Sequence, residues 1–106
     1  MITLENYKEE LKGLCAVEVS GEGCANCISL MPVLSGIVNA RNDIVMKHIE
    51  AAPETMALLE LYKIDRVPTV LLTDNGVEFA RATGFQPEEI LEVWIDAKIE
   101  EHNLTK

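Results

Sequence analysis

The tripeptide Asp74-Asn75-Gly76 stands between two short apolar runs, residues 69–73 and 77–82. Asn and Gly both accept positive φ, so this step predicts a tight hairpin joining two antiparallel strands. The fold must therefore contain a sheet. Upstream, the pattern alternates between strand and helix. Residues 14–19 form an apolar run interrupted only by Glu18 and read as a buried strand. Residues 44–49 repeat that signal after a break at Arg41-Asn42-Asp43. A first helix is expected over residues 4–12, with Thr3 as its N-cap and Gly13 past its end. A second, over residues 24–39, is apolar around most of its circumference. It carries Pro32, which removes one backbone hydrogen bond and should bend the axis. A third opens at Pro53 and runs to about Lys63, with Met56, Leu59 and Tyr62 toward the core. The last begins at Pro87, with Ile90, Leu91, Trp94 and Ile95 inward and Glu88, Glu92 and Asp96 outward.

The order is helix, strand, helix, strand, helix, strand, strand, helix. Alternating elements imply right-handed parallel crossovers, to which the hairpin adds an antiparallel edge. The expected fold class is α/β, a three-layer sandwich built on a mixed sheet with helices on both faces. Residues 1–106 fit one domain, and a monomer is expected. The 48% of hydrophobic residues supply one core without staples.

No stretch approaches the roughly 20 apolar residues of a membrane span. The N-terminus, Met1 to Asn6, lacks the basic start and apolar centre of a signal peptide, so a cytoplasmic location is expected. The formal net charge is −9, from 18 acidic and 9 basic side chains. That balance repels phosphate backbones and anionic bilayers, so neither nucleic acid nor membrane is an expected partner.

The chain has 3 cysteines, Cys15, Cys24 and Cys27, an odd and low number that argues against a secreted disulfide framework. Cys24-Ala25-Asn26-Cys27 follows a strand and a Ser20-Gly21-Glu22-Gly23 loop and opens a helix. Unpaired N–H groups and the dipole at a helix start favour a thiolate there. Cys27 lies nearly one turn on, close enough to share a face with Cys24 and in a more inward position. The spacing also suits half of a metal site or two structural thiols. For a metal the remaining ligands are Cys15, His48 and His102, with no second pair at finger spacing and His102 near a frayed end. No metal is therefore assigned. Cys15 reads as a small buried hydrophobe, His48 as packing or surface, and Met31, Met46 and Met56 as core fillers. Glu18 either faces solvent at an edge or has a raised pKa unless it is paired. Pro68 reads as a strand-start proline.

Gly23-Cys24-Ala25-Asn26-Cys27, Pro32 in the same helix, and Arg66-Val67-Pro68-Thr69 at a strand start together resemble the thioredoxin family. The Asn75-Gly76 hairpin and Gly84 extend the resemblance over essentially the whole chain. It implies a thioredoxin-like fold and a redox disulfide between Cys24 and Cys27. It also implies a thiol–disulfide oxidoreductase that reduces or exchanges protein disulfides, with Cys24 attacking and Cys27 resolving. Such a centre carries electrons in cell redox homeostasis and needs no cofactor. The implied partners are disulfide-containing proteins and a flavoprotein disulfide reductase or other dithiol donor.

By the same resemblance Pro68 is cis and faces the disulfide, so that the Val67 backbone can pair with an extended substrate. Gly23 and Gly84 complete that surface. Glu18 stands for the family's buried aspartate and Lys47 for the lysine that pairs with it, with Glu18 relaying a proton to or from Cys27. The chain departs from the family at Gly23, where tryptophan is usual, at Ala25-Asn26, where thioredoxin has Gly-Pro, and in the extra methylene of Glu18. These departures bear on the redox potential and on the reductase. Two other readings leave the cysteines without catalysis: a thioredoxin-fold binding module docking through the Pro68 face, and a metal-binding protein.

Overall fold

A computed structural model describes residues 1–106. Its elements are α1 (Tyr7–Glu10), β1 (Leu14–Ser20), α2 (Ala25–Asn39), β2 (Val45–Glu50), a 3-10 turn (Pro53–Thr55), α3 (Met56–Leu61), β3 (Thr69–Asp74), β4 (Val77–Thr83) and α4 (Glu88–Leu104). The four strands form one mixed sheet in the order β2-β1-β3-β4. The hairpin forms as the sequence predicts, with Asn75 at φ 52° and Gly76 at φ 84°.

The sheet departs from expectation in one connection. β1 and β2 are parallel across α2, but β3 runs antiparallel to β1. Helix length explains the difference. The 15 residues of α2 span about 22 Å and return the chain along a full strand. The 6 residues of α3 span only about 9 Å, less than half of a strand of roughly 20 Å. The chain therefore enters β3 from the end at which it left β2.

Both faces of the sheet are covered. On one, Ala16, Val70 and Leu72 pack against Leu30 and Leu34 of α2 and Leu91, Ile95 and Ile99 of α4. On the other, Val17, Val19 and Leu71 pack against Leu58, Leu59 and Tyr62 and against Leu11. β1 is buried from Cys15 through Ser20, as expected of a strand covered on both sides.

Several helix details are corrected. α1 has 4 residues, and Thr3 does not cap it. Instead the Thr3 N–H donates to Asn6 Oδ1 at 2.7 Å, a local turn that competes with helix extension. Met56 and Ile90 are exposed, because the inward stripe of α4 is the narrower Leu91-Ile95-Ile99 row. His102 is not at a frayed end, since α4 continues through Leu104. Its Nε2 donates to Asp74 Oδ2 at 2.8 Å, and its ring stacks on Phe79 with centroids 3.9 Å apart.

Asp74 thus ties the C-terminal helix to the hairpin, with Lys106 Nζ also 3.2 Å from Oδ2. The His102 hydrogen bond, then Lys106, holds the Asp74 carboxyl below the ordinary aspartate range. A carboxyl whose pKa falls on folding contributes stability above its unfolded pKa, near pH 4, and loses it as pH drops through the folded value. Asp74→Asn is expected to cost about 0.5–1 kcal/mol at neutral pH. Urea unfolding as a function of pH should show that difference shrinking below about pH 4. A difference that is constant down to pH 2 would contradict it.

Candidate active site

β1 ends at Ser20, and Gly21-Glu22-Gly23 carries the chain out of the sheet toward α2. Gly23 sits at φ 72°, a left-handed conformation that favours glycine over most residues with a Cβ. Cys24 follows in extended conformation as the N-cap of α2, and its Sγ accepts the Cys27 N–H at 3.1 Å. The N–H groups of Ala25 and Asn26 have no partner in the chain. The sulfur therefore lies at the positive end of a helix of about four turns.

Cys24 and Cys27 form a disulfide with Cα atoms 5.3 Å apart. Cys24 is half-buried, whereas Cys27 is 4% exposed. α2 runs unbroken through Pro32, whose missing N–H leaves the Ile28 carbonyl without its usual donor.

The Val67–Pro68 peptide is cis. The Pro68 carbonyl accepts the Gly84 N–H at 2.8 Å, and Gly84 itself is at φ 82°. Gly84 thus fastens the segment before β3 to the end of β4. Val67 is partly exposed, and its own N–H and C=O have no partner in the chain. A Cβ on Gly21 would lie 3.3 Å from Val67 Cγ2. The loop before Cys24 and the loop before β3 are therefore in contact, and a side chain at position 21 would push them apart. No sequence signal marks Gly21 for this role, since the contact joins segments distant in the chain.

Glu18 is fully buried, but its partner is not Lys47. Side chains alternate along a strand, and the parallel register sets Val17 opposite Lys47 and Glu18 opposite His48. Lys47 consequently lies on the Cys15 face of the sheet. There burial pushes the Cys15 thiol up, and the Lys47 charge opposes part of that shift. Glu18 Oε1 instead accepts from His48 Nδ1 at 2.8 Å, while Glu18 Oε2 has no partner. The Ser20 hydroxyl lies 3.2 Å from His48 Nε2. His48, expected from the sequence to be packing or surface, is thus part of the site. Only the register between β1 and β2 sets it opposite Glu18, and no local sequence signal marks it.

A cavity of about 310 Å³ opens beside the disulfide, with Ser20, Glu22, Cys24, Cys27, His48 and Glu50 among its lining residues. Glu18 lies behind this lining. No three His, Cys, Asp or Glu side chains converge as a metal ion requires. His48 and His102 are each bonded to a different carboxylate.

The thioredoxin family model matches residues 1–97. The chain belongs to the thioredoxin family. It is 28% identical to a thioredoxin of Chlamydia pneumoniae over 92 residues, covering 86% of this chain and 89% of that one. A thioredoxin of Staphylococcus haemolyticus is also 28% identical, over 99 residues covering 90% and 92% of the two chains. The fold is similar to a solved mutant thioredoxin of Halobacterium salinarum NRC-1, with a TM-score of 0.70. That likeness covers 82% of this chain and 75% of the other at 24% identity, and at that identity it speaks to the fold alone. With its cysteine pair joined at a helix start, the chain is a thiol–disulfide oxidoreductase of this family.

Cys15 is fully buried and outside the site. The oxidised native protein is therefore expected to show no thiol reactive toward an aromatic disulfide reagent, and one after denaturation. A reactive thiol in the native oxidised protein would show Cys15 to be accessible.

Proposed function

We propose that this oxidoreductase acts in the cytoplasm, as a monomeric single domain, on disulfides of partner proteins, with Cys24 as nucleophile and Cys27 as resolving thiol. The supporting observation is the unequal access to the two sulfurs. Both cysteines line the cavity, but Cys24 stands half-buried at the helix start whereas Cys27 is 4% exposed. In the reduced protein the Cys24 thiolate attacks a substrate disulfide. One substrate sulfur leaves as thiolate, and the other is bound to Cys24. Cys27 then gives up its proton and attacks the Cys24 sulfur, which releases the second substrate thiolate. Two electrons have passed to the substrate, and the cysteine pair is oxidised. A flavoprotein disulfide reductase or another dithiol protein would restore the dithiol, so no cofactor is needed.

The free N–H and C=O of Val67 suit an extended substrate segment, which can pair with them as an added strand. Pro68 and Gly84 hold that segment, and Gly23 keeps the approach to Cys24 free of a side chain. Glu18 takes part in handling the Cys27 proton. Its complete burial with one oxygen unpartnered supports this role, because such a carboxyl gains from any additional donor. Lys47 has no part in it.

Cys24→Ser is expected to abolish dithiothreitol-driven reduction of insulin, and Cys15→Ser to retain most activity. Cys27→Ser should accumulate mixed disulfides that dithiothreitol dissolves, because nothing remains in the protein to release them. If Cys27→Ser traps no more protein than Cys24→Ser, the family fold here serves as a docking module.

A second expectation concerns the inner dipeptide. The unpaired Asn26 N–H lies at the helix start beside Cys24, where it favours the thiolate, and proline at that position has no such donor. Stabilising the reduced form raises the potential. A variant combining Ala25→Gly with Asn26→Pro is expected to equilibrate with glutathione at a potential lower by roughly 30 mV, a tenfold change in equilibrium constant. An unchanged or higher potential would remove the Asn26 argument.

A further inference from the structure

Resolution by Cys27 needs a proton acceptor, and the cavity beside the disulfide contains few. Glu22 and Glu50 stand on its rim and are exposed, so water solvates them. Glu18 is fully buried and does not reach the lining. Its one hydrogen-bonded oxygen already faces His48. The His48 side chain is 36% exposed and lines the same cavity as Cys24 and Cys27.

We propose that His48, oriented by Glu18, is the proton relay for Cys27 during resolution of the mixed disulfide. The inference rests on the reading that Cys24 attacks and Cys27 resolves. A carboxylate facing Nδ1 fixes the hydrogen on that nitrogen and leaves Nε2 as the acceptor. The Ser20 hydroxyl lies 3.2 Å from Nε2 and 3.5 Å from Nδ1, and Ser20 also lines the cavity. At about 310 Å³ the cavity has room for several waters, each occupying about 30 Å³ in the liquid. A proton can therefore pass from the Cys27 thiol through water to Nε2. The balance is simple: the Cys27 S–H bond breaks, an N–H forms on His48, and the sulfur's electron pair makes the new bond to Cys24. The substrate thiolate leaves from Cys24, and the imidazolium returns its proton to solvent or to that thiolate. Glu18 acts here as a positioning residue, through the ring it holds by the Nδ1 hydrogen bond.

The groups facing His48 are few and can be named. β1 contributes Glu18 and Ser20, the following loop Glu22, β2 its own Glu50, and α2 the two cysteines with uncharged Ile28 and Met31. No lysine or arginine lines the cavity. A protonated ring cannot accept, so resolution should slow wherever the ring takes up a proton.

The test follows the two steps separately with a chromogenic disulfide in stopped flow. In wild type and in His48→Gln, the first thiolate should be released at equal rates, since Cys24 attack does not use His48. Release of the second thiolate should be at least tenfold slower in His48→Gln, and the acid limb of its pH profile should disappear. Added imidazole should restore much of the rate in His48→Ala. If the glutamine variant fails to fold, the wild type carries the test. The His48 ring is then titrated by NMR in the reduced protein, with His102 the only other histidine. Its midpoint must coincide with the acid limb of second-thiolate release. Equal second-thiolate rates in wild type and His48→Gln, or non-coincident midpoints, overturn the relay. Loss of the first release in wild type would instead overturn the assignment of Cys24 as nucleophile.

Discussion

The site depends on β1 being held on both edges and both faces. Parallel pairing with β2 and antiparallel pairing with β3 leave its backbone no free edge from Cys15 to Val19. Both side-chain layers are covered, so neither face can tilt without opening a core. Ser20 is therefore a fixed point, and only Gly21, Glu22 and Gly23 separate it from Cys24. A three-residue span leaves little freedom in where the sulfur sits. The same rigidity governs Glu18. A carboxyl in a strand closed on every side cannot swing toward water, so it must be paired in place or neutral. His48 is the residue that the register puts there. The two cannot be separated cheaply, since removing the imidazole strands a carboxyl that has only one hydrogen-bonded oxygen to begin with.

Much of this was legible in the sequence, and the legible parts share a physical reason. The Asn75-Gly76 turn, the buried run of β1 and the Pro53 helix start are local signals, written within a few residues. The cysteine pair at a helix start is local too, and both its position and its unequal burial emerged as expected. The parts that were not legible depend on pairing. Lys47 and His48 are neighbours in sequence, and only the register between β1 and β2 decides which of them meets Glu18. A shift of one residue would exchange them, because strand side chains alternate. The direction of β3 failed for a related reason. Alternation suggests parallel strands, but the length of α3 decides whether a parallel return is possible. Met56 and Ile90 show the same limit for helices. A periodic stripe gives a face to within about one position, and tertiary packing selects Leu91, Ile95 and Ile99 rather than the flanking Ile90.

The charge distribution around the sulfurs follows from these placements and bears on the direction of the chemistry. The positive field comes from the start of α2, close to Cys24. The negative charges, Glu22 and Glu50, stand on the cavity wall, with no lysine or arginine beside them. A thiolate on Cys24 is thus favoured at one point in an otherwise acidic surround. In the proposed mechanism, when Cys27 closes the disulfide, negative charge moves from the protein onto the departing substrate sulfur. That anion loses the helix start as its counter-charge and meets the carboxylates of the rim. Each such pair repels by about 1 kcal/mol at contact distance in water and by more where water is excluded. The acidic rim therefore opposes retention of the product thiolate more than it opposes the approach of a neutral disulfide. Burial of Cys27 contributes in the same sense, since the new disulfide carries no charge to be solvated there. In that proposed mechanism the helix start favours attack, and the carboxylates beyond it favour release.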